Sequence, residues 1–289
     1  METFTRGRIS IAYHDVGDGP AVIFIHNGGT SSTIWRHQVE DLKADHRAIA
    51  LDLPGFGASP LPRPPAELHE LVDTVIDLIR AEDLAPALLV GNCMGSNIAV
   101  SVADREPELV RGILTVNPLT EVSFSGGKIG FLHKLASSRT LGKPTRGVLR
   151  ISRHIRVPRF IGALTLRFQL GRSGIRQGLH HDPELLATQT RGDQLPALID
   201  VLEDMSAYGG VDTLAEAPAV PTWIVWGDQN HVLSRKKAAG LTDRLGAEQV
   251  EVVDNCGHLA MLEKPEQITE LIRRLDAHVA GGADRKVTA

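Results

Sequence analysis

The sequence predicts an α/β fold built on a parallel sheet, and three observations carry that expectation. Short apolar, β-branched runs recur along the chain, and segments of helical period separate them. The runs are continuously apolar rather than alternating, as strands covered on both faces require.

Taken in order, the first twenty residues carry the turn signals Gly17, Asp18, Gly19 and Pro20 and are expected to add an antiparallel hairpin at the sheet edge. Strands are expected over residues 21–26 (AVIFIH), 47–51 (RAIAL), 87–91 (ALLVG), 110–116 (VRGILTV), 222–226 (TWIVW) and 249–253 (QVEVV). Helices are expected over 67–81, 96–105, 235–245 and 265–279. Between about Leu119 and Ala217 the strand rhythm stops. Gly126-Gly127, Lys143-Pro144, Val157-Pro158 and Asp182-Pro183 break this stretch into short helical pieces. So long a structureless loop does not suit a compact domain, so an inserted helical lobe is expected. The organisation read from the sequence is a core over 1–118 and 218–280, a helical insert over 119–217, and a flexible tail over 281–289.

Composition narrows the function classes. The 289 residues are 42% hydrophobic and 23% charged with a formal charge of −4, which excludes a disordered chain, a collagen or a small disulfide scaffold. No run of about 18 apolar residues occurs, and the N-terminus METFTRGRIS lacks a secretory leader's apolar stretch. A cytoplasmic protein without a transmembrane segment is expected. With only Cys93 and Cys256, each cysteine is read singly, and no metal site or cofactor is expected. His180-His181 lacks the additional spaced ligands that a zinc site needs.

Four motifs carry the chemistry. Gly91-Asn92-Cys93-Met94-Gly95 follows a strand and opens a helix, in the pattern G-x-C-x-G. A nucleophile on so sharp a turn needs small residues two positions to either side, and the turn presents the Met94 N–H to a developing oxyanion. Asn255-Cys256-Gly257-His258 follows the last strand, with Glu263-Lys264-Pro265-Glu266 after it. His26-Asn27-Gly28-Gly29-Thr30 ends the strand at 21–26, and Asp52-Leu53-Pro54-Gly55-Phe56-Gly57-Ala58-Ser59 ends the next.

Together these resemble the α/β-hydrolase family over nearly the whole chain. The resemblance implies a mostly parallel eight-stranded sheet flanked by helices, with a helical cap inserted after strand six. It implies Cys93 as nucleophile, His258 as base, an oxyanion hole from the N–H groups of Gly28 and Met94, and a structural role for His26. Cys256, at a strand end, reads as core packing. The family's acid falls at Asn230, or in a subset of members at Asn117, and both are amides here. Asp228 and Glu121 are offset by two and four residues. Asn230 is expected first, then Asp228, then Asn117. A Cys–His pair that rests as thiolate and imidazolium needs its third member mainly to orient the ring, so an amide is coherent with a cysteine.

The expected function is cofactor-independent acyl transfer through a Cys93 thioester, by a thioesterase or acyltransferase. The alternatives are a hydrolase of activated esters or lactones, resembling the dienelactone hydrolases, and a non-catalytic ligand binder. From Thr120 to Gly192 there are thirteen Lys or Arg against three Asp or Glu. Arg139, Lys143, Arg146, Arg150, Arg153, Arg156 and Arg159 recur every three or four residues. Coenzyme A or an acidic acyl carrier protein is the partner this basic cap suits, alongside the small acyl substrate. A membrane-surface role for the cap also fits its interleaved apolar residues. Nucleic acid is not expected, because the net charge is negative and aromatics are scarce.

Overall fold

The computed structural model describes residues 1–136, 138 and 156–287. Eight strands form one sheet in the order β1-β2-β4-β3-β5-β6-β7-β8. β1 (Glu2–Arg6) and β2 (Ile9–Val16) make the expected antiparallel edge, β2 pairing antiparallel with β4 (Arg47–Asp52). The rest is parallel: β3 (Ala21–Ile25), β5 (Ala87–Asn92), β6 (Val110–Val116), β7 (Thr222–Gly227) and β8 (Gln249–Val253).

The continuous apolar runs have a direct structural cause. Along β3, Val22 and Phe24 join the core on one face of the sheet, while Ile23 and Ile25 join the core on the other. Leu88 and Val90 alternate with Ala87 and Leu89 in the same way along β5. One face is covered by α2 (Leu68–Ala81) and α3 (Met94–Arg105), the other by α1 (Arg36–Leu42) and the long C-terminal helix.

After β6 the chain leaves the sheet as a series of short helices. These are α4 (Glu121–Ser125), α5 (Gly130–Ala136), α6 (Arg159–Gln169), α7 (Arg172–Arg176), α8 (Pro183–Thr190) and α9 (Gln194–Glu203), then a 3-10 stretch at Met205–Thr213. It returns through α10 (Leu241–Arg244), α11 (Ala260–Glu263) and α12 (Pro265–Val287). Of the expected basic face, Arg139, Lys143, Arg146, Arg150 and Arg153 lie outside the described residues; Arg156 and Arg159 are exposed.

Two expectations are corrected. The helix expected over 235–245 is confined to Leu241–Arg244. Arg235, Lys236 and Lys237 would place three positive charges at its N-terminus, where the helix dipole opposes them. The tail expected to be flexible from 281 is helical to Val287, an extension of α12.

The topology places the site. β3 is followed across the sheet by β4 in one direction and β5 in the other, so the loops after β3 and β5 diverge at the carboxyl edge. A crevice at that point is where open α/β sheets bind ligands.

Candidate active site

Cys93 is the single residue between β5 and α3, at φ +53° and ψ −110°. A non-glycine residue there is strained by about 1–3 kcal/mol. Backbone bonds hold it: Cys93 N–H donates to the Val116 carbonyl at 2.9 Å, and its own carbonyl accepts from Ser96 at 3.0 Å and Leu119 at 3.2 Å. The flanking glycines are required by close approach. A Cβ on Gly95 would lie 2.1 Å from the Ile25 carbonyl oxygen, and one on Gly91 would lie 2.3 Å from the backbone of Gly95.

The loop after β3 is fixed by neutral groups. His26 is fully buried, with Nδ1 2.7 Å from the Asn27 carbonyl and Nε2 accepting from Leu53 N–H at 2.8 Å. Those two contacts set its tautomer, because a nitrogen that accepts leaves the other as donor. Asn27 Oδ1 accepts from Thr30 Oγ1 at 2.8 Å and Asn92 Nδ2 at 3.0 Å, and Asn27 Nδ2 donates to the Gly28 carbonyl at 3.0 Å. From the cap, Gln189 Nε2 donates to the Gly29 carbonyl and Gln169 Oε1 lies 3.4 Å from Asn27 Nδ2. Asn92, Gln169 and Gln189 are site residues that the sequence reading did not single out. Asn92 carries a local signal, a buried amide at the end of an apolar strand next to Cys93. The cap glutamines carry none.

His258 lies in the loop between β8 and α11, with its N–H donating to the Gln169 carbonyl at 2.6 Å. A single cavity of about 440 Å³ brings together Cys93, His258, Gly28 and Met94. Apolar side chains, among them Leu119, Phe124, Phe168, Leu198, Leu202 and Met205, make up most of its wall. Asn27, Gln169 and Gln189 supply neutral polar groups, and among the described residues no Asp, Glu, Lys or Arg lines it.

The electrostatics depart from the expected thiolate–imidazolium pair. Burial pushes the Cys93 thiol up to about 12, opposed only by the Met94 N–H that lies against the sulphur. Burial alone pushes His258 down to about 3. Both groups therefore rest neutral near pH 7, because a low-dielectric site penalises each charged form.

The third position also differs from expectation. His258 Nδ1 is buried and has no hydrogen-bond partner among the described residues. Asn230 Oδ1 accepts from the N–H groups of Val232 at 2.9 Å and Leu233 at 3.1 Å, and its Nδ2 is likewise buried without a partner among the described residues. The two backbone donors fix the amide orientation, so Asn230 has spent the one atom that could accept from an imidazole N–H. Asp228 Oδ1 accepts from Cys256 N–H at 2.9 Å and shapes the loop before His258. Asn117 Nδ2 donates to the His258 carbonyl at 3.1 Å while its Oδ1 accepts from Gly227 N–H at 3.0 Å, so it holds the His258 backbone rather than its ring. Glu121 sits in the cap beside Gly209. Cys256 is fully buried within the core, as its sequence position suggested.

Asn230→Ala should accordingly cost about 1 kcal/mol, as loss of a capping side chain does, and leave the pH–rate profile in place. Urea denaturation and a profile across pH 4–9 check this. A displaced profile would give Asn230 a hold on the ring.

Comparison with known proteins places this geometry in a class. The sequence profile of the alpha/beta hydrolase family matches residues 22–271, and the chain belongs to that family. It is an enzyme of the α/β-hydrolase type. It is 25% identical to the pimeloyl-[acyl-carrier protein] methyl ester esterase of Aeromonas salmonicida over 270 residues, covering 92% of this chain and 98% of that protein. Over 271 residues it is 25% identical to the 2-hydroxymuconate semialdehyde hydrolase of Pseudomonas sp. (strain CF600), covering 90% of this chain and 87% of that one. In fold it matches a thermophilic esterase from Thermogutta terrifontis with a TM-score of 0.78 at 22% identity, covering 96% of each chain. Among the described residues no helix is long and apolar enough to cross a membrane.

Proposed function

We propose that the protein transfers or hydrolyses an uncharged, largely apolar acyl group through a thioester on Cys93, using a Cys93–His258 dyad. The observation that carries this reading is the convergence of a strained cysteine, a buried histidine and the Gly28 and Met94 loops on one cavity without charged walls.

In this reading, Cys93 Sγ attacks the acyl carbonyl carbon as the thiol proton passes to His258 Nε2. Concerted transfer suits a pair whose separate ions are both disfavoured. The carbonyl oxygen becomes an oxyanion that accepts from the N–H groups of Gly28 and Met94, both of which line the cavity. Collapse of the tetrahedral intermediate expels the leaving oxygen or sulphur, which takes the proton back from His258. In the second half His258 deprotonates the acceptor, water or another nucleophile, as it attacks the thioester. Cys93 then leaves as the thiol.

The cavity lies within the size range of small-ligand sites. Its uncharged wall suits a neutral acyl chain and would leave a substrate carboxylate without a counter-ion. A carrier's phosphates would stay outside, which keeps coenzyme A and acyl carrier protein as donors. The name of the Aeromonas relative, an esterase of a carrier-bound acyl ester, agrees with that. The same wall accepts a free neutral ester or lactone, the second reading.

Intact-protein mass spectrometry separates these readings. The wild type and Cys93→Ala are incubated with octanoyl-CoA, an octanoyl carrier protein, p-nitrophenyl butyrate and a neutral lactone. An acyl-sized mass increase confined to the wild type is expected, and the fastest donor identifies the substrate class. No adduct and no turnover with any donor would favour a ligand-binding module.

A further inference from the structure

Glu263 is 1% exposed and sits at the end of α11, five residues after His258. Among the described residues no cation pairs with it. Its partners are backbone N–H groups from two separate parts of the molecule. Oε1 accepts from Gly257 at 2.8 Å, on the loop that carries His258. Oε2 accepts from Gly171 at 2.9 Å and Gly174 at 3.0 Å, where the cap passes from α6 into α7. Each carboxylate oxygen thus serves one body.

Further bonds continue the seam. His258 N–H donates to the Gln169 carbonyl at 2.6 Å, Ser173 N–H to the Asn255 carbonyl at 2.9 Å, and Gln177 Nε2 to the Glu263 carbonyl at 3.0 Å. The backbones meet so closely that a Cβ on Gly171 would lie 2.6 Å from Gly257 N. Burial pushes the carboxyl up to about 7 against the pull of these donors. A buried carboxylate is a costly way to join two loops. What it supplies is two acceptors on one rigid plane, a spacing that a lone backbone carbonyl cannot offer.

We infer that Glu263 is a positioning residue that couples the cap to the catalytic base, so that His258 is held in its working place only while the cap segment at Gly171–Gly174 is seated. This rests on the reading of Cys93 and His258 as the reacting pair. Glu263 touches neither substrate nor reacting atoms and acts through the Gly257–His258 backbone. In Glu263→Gln one acceptor is replaced by an NH₂ that meets an N–H, so one side of the tie opens in a side chain of nearly unchanged size.

The test compares wild type with Glu263→Gln by hydrogen–deuterium exchange over residues 169–176 and 255–262, and by the rate at which p-nitrophenyl butyrate acylates Cys93 as a function of ester concentration. Exchange should rise severalfold in both segments together. The maximal acylation rate should fall about 100-fold, the scale of a misplaced catalytic group, with half-saturation unchanged. Unchanged exchange, a rise in one segment alone, or an unaffected maximal rate would overturn the inference. If Glu263→Gln does not fold, Gly174→Ala presses on the same carboxylate from the cap side, where its Cβ would lie 2.9 Å from Glu263 Cγ, and the same outcomes apply. Absence of an adduct on wild-type Cys93 together with a paired rise in exchange would sink the acyl reading and leave the tie standing.

Discussion

Cys93→Ser should fold as the wild type does and form acyl-enzyme about 10⁴-fold more slowly, the scale of loss when a Ser–His pair lacks its carboxylate. The reason lies in the bare Nδ1 of His258. A hydroxyl gives up its proton far less readily than a thiol. A serine therefore depends on an acceptor behind the imidazole that fixes the tautomer and stabilises the imidazolium formed during attack. Among the described residues no such acceptor reaches the ring: Asn230 has committed its oxygen to Val232 and Leu233, Asp228 binds Cys256 N–H, and Asn117 binds backbone on both sides. A thiol tolerates this, because sulphur is nucleophilic with less help. Single-turnover acylation by p-nitrophenyl butyrate, read by adduct mass, measures the ratio. A serine variant that kept the wild-type rate would mean that the ring acquires a partner when substrate binds, and the dyad reading would give way to a triad.

Asp52→Ala is expected to be the most damaging single change to stability outside the apolar core. Asp52 is 2% exposed and accepts from Ser32 N–H at 2.7 Å and Ala58 N–H at 2.6 Å. Its backbone carbonyl takes the Ser59 hydroxyl, and the same Ser59 oxygen accepts from Ala12 N–H at 2.8 Å, so the turn after β4 is tied to β2. Alanine would leave the buried Ser32 N–H and the part-buried Ala58 N–H unpaired, together about 2–4 kcal/mol. For a chain of this size that corresponds to a melting temperature lower by about 10 °C. Asn, which keeps one acceptor, should lose roughly half as much. Calorimetry decides the matter, and equal melting of all three proteins would make Asp52 a bystander.

The parts of this molecule that were legible in the sequence share a physical origin. Residues 21–26 and 87–91 read as buried strands because both faces of the sheet are covered, which leaves no room for polar alternation. The elbow was legible because sterics leave so little choice beside a left-handed residue. The position of His258 followed from its place after the last strand. What failed was whatever depended on the direction of a side-chain atom. Position 230 was identified as the family's acid position, yet whether an amide there faces a ring or caps its own loop is decided by two backbone N–H groups that a motif does not show. Gln169 and Gln189 escaped for a related reason. They come from cap helices far along the chain, and a glutamine on a short helix is ordinarily a solvated residue. Glu263 was visible inside a motif, but its two-sided bonding depends on a cap segment whose approach no local pattern encodes.

The backbone of Cys93 has a consequence for how the enzyme ages and fails. Its left-handed conformation is not one that the residue would choose. It persists because β5, β6 and α3 hold the chain at either end of the turn. The tension at that point is lent by the sheet, and a slight loosening of the β5–β6 edge would let the turn relax while most of the sheet stays paired. In its proposed role as nucleophile, Cys93 works as a gauge of its surroundings: under heat or mild denaturant, catalytic competence should fade before the tertiary signal does, and storage or evolution that wears down distant packing would register first as a silent, well-folded enzyme.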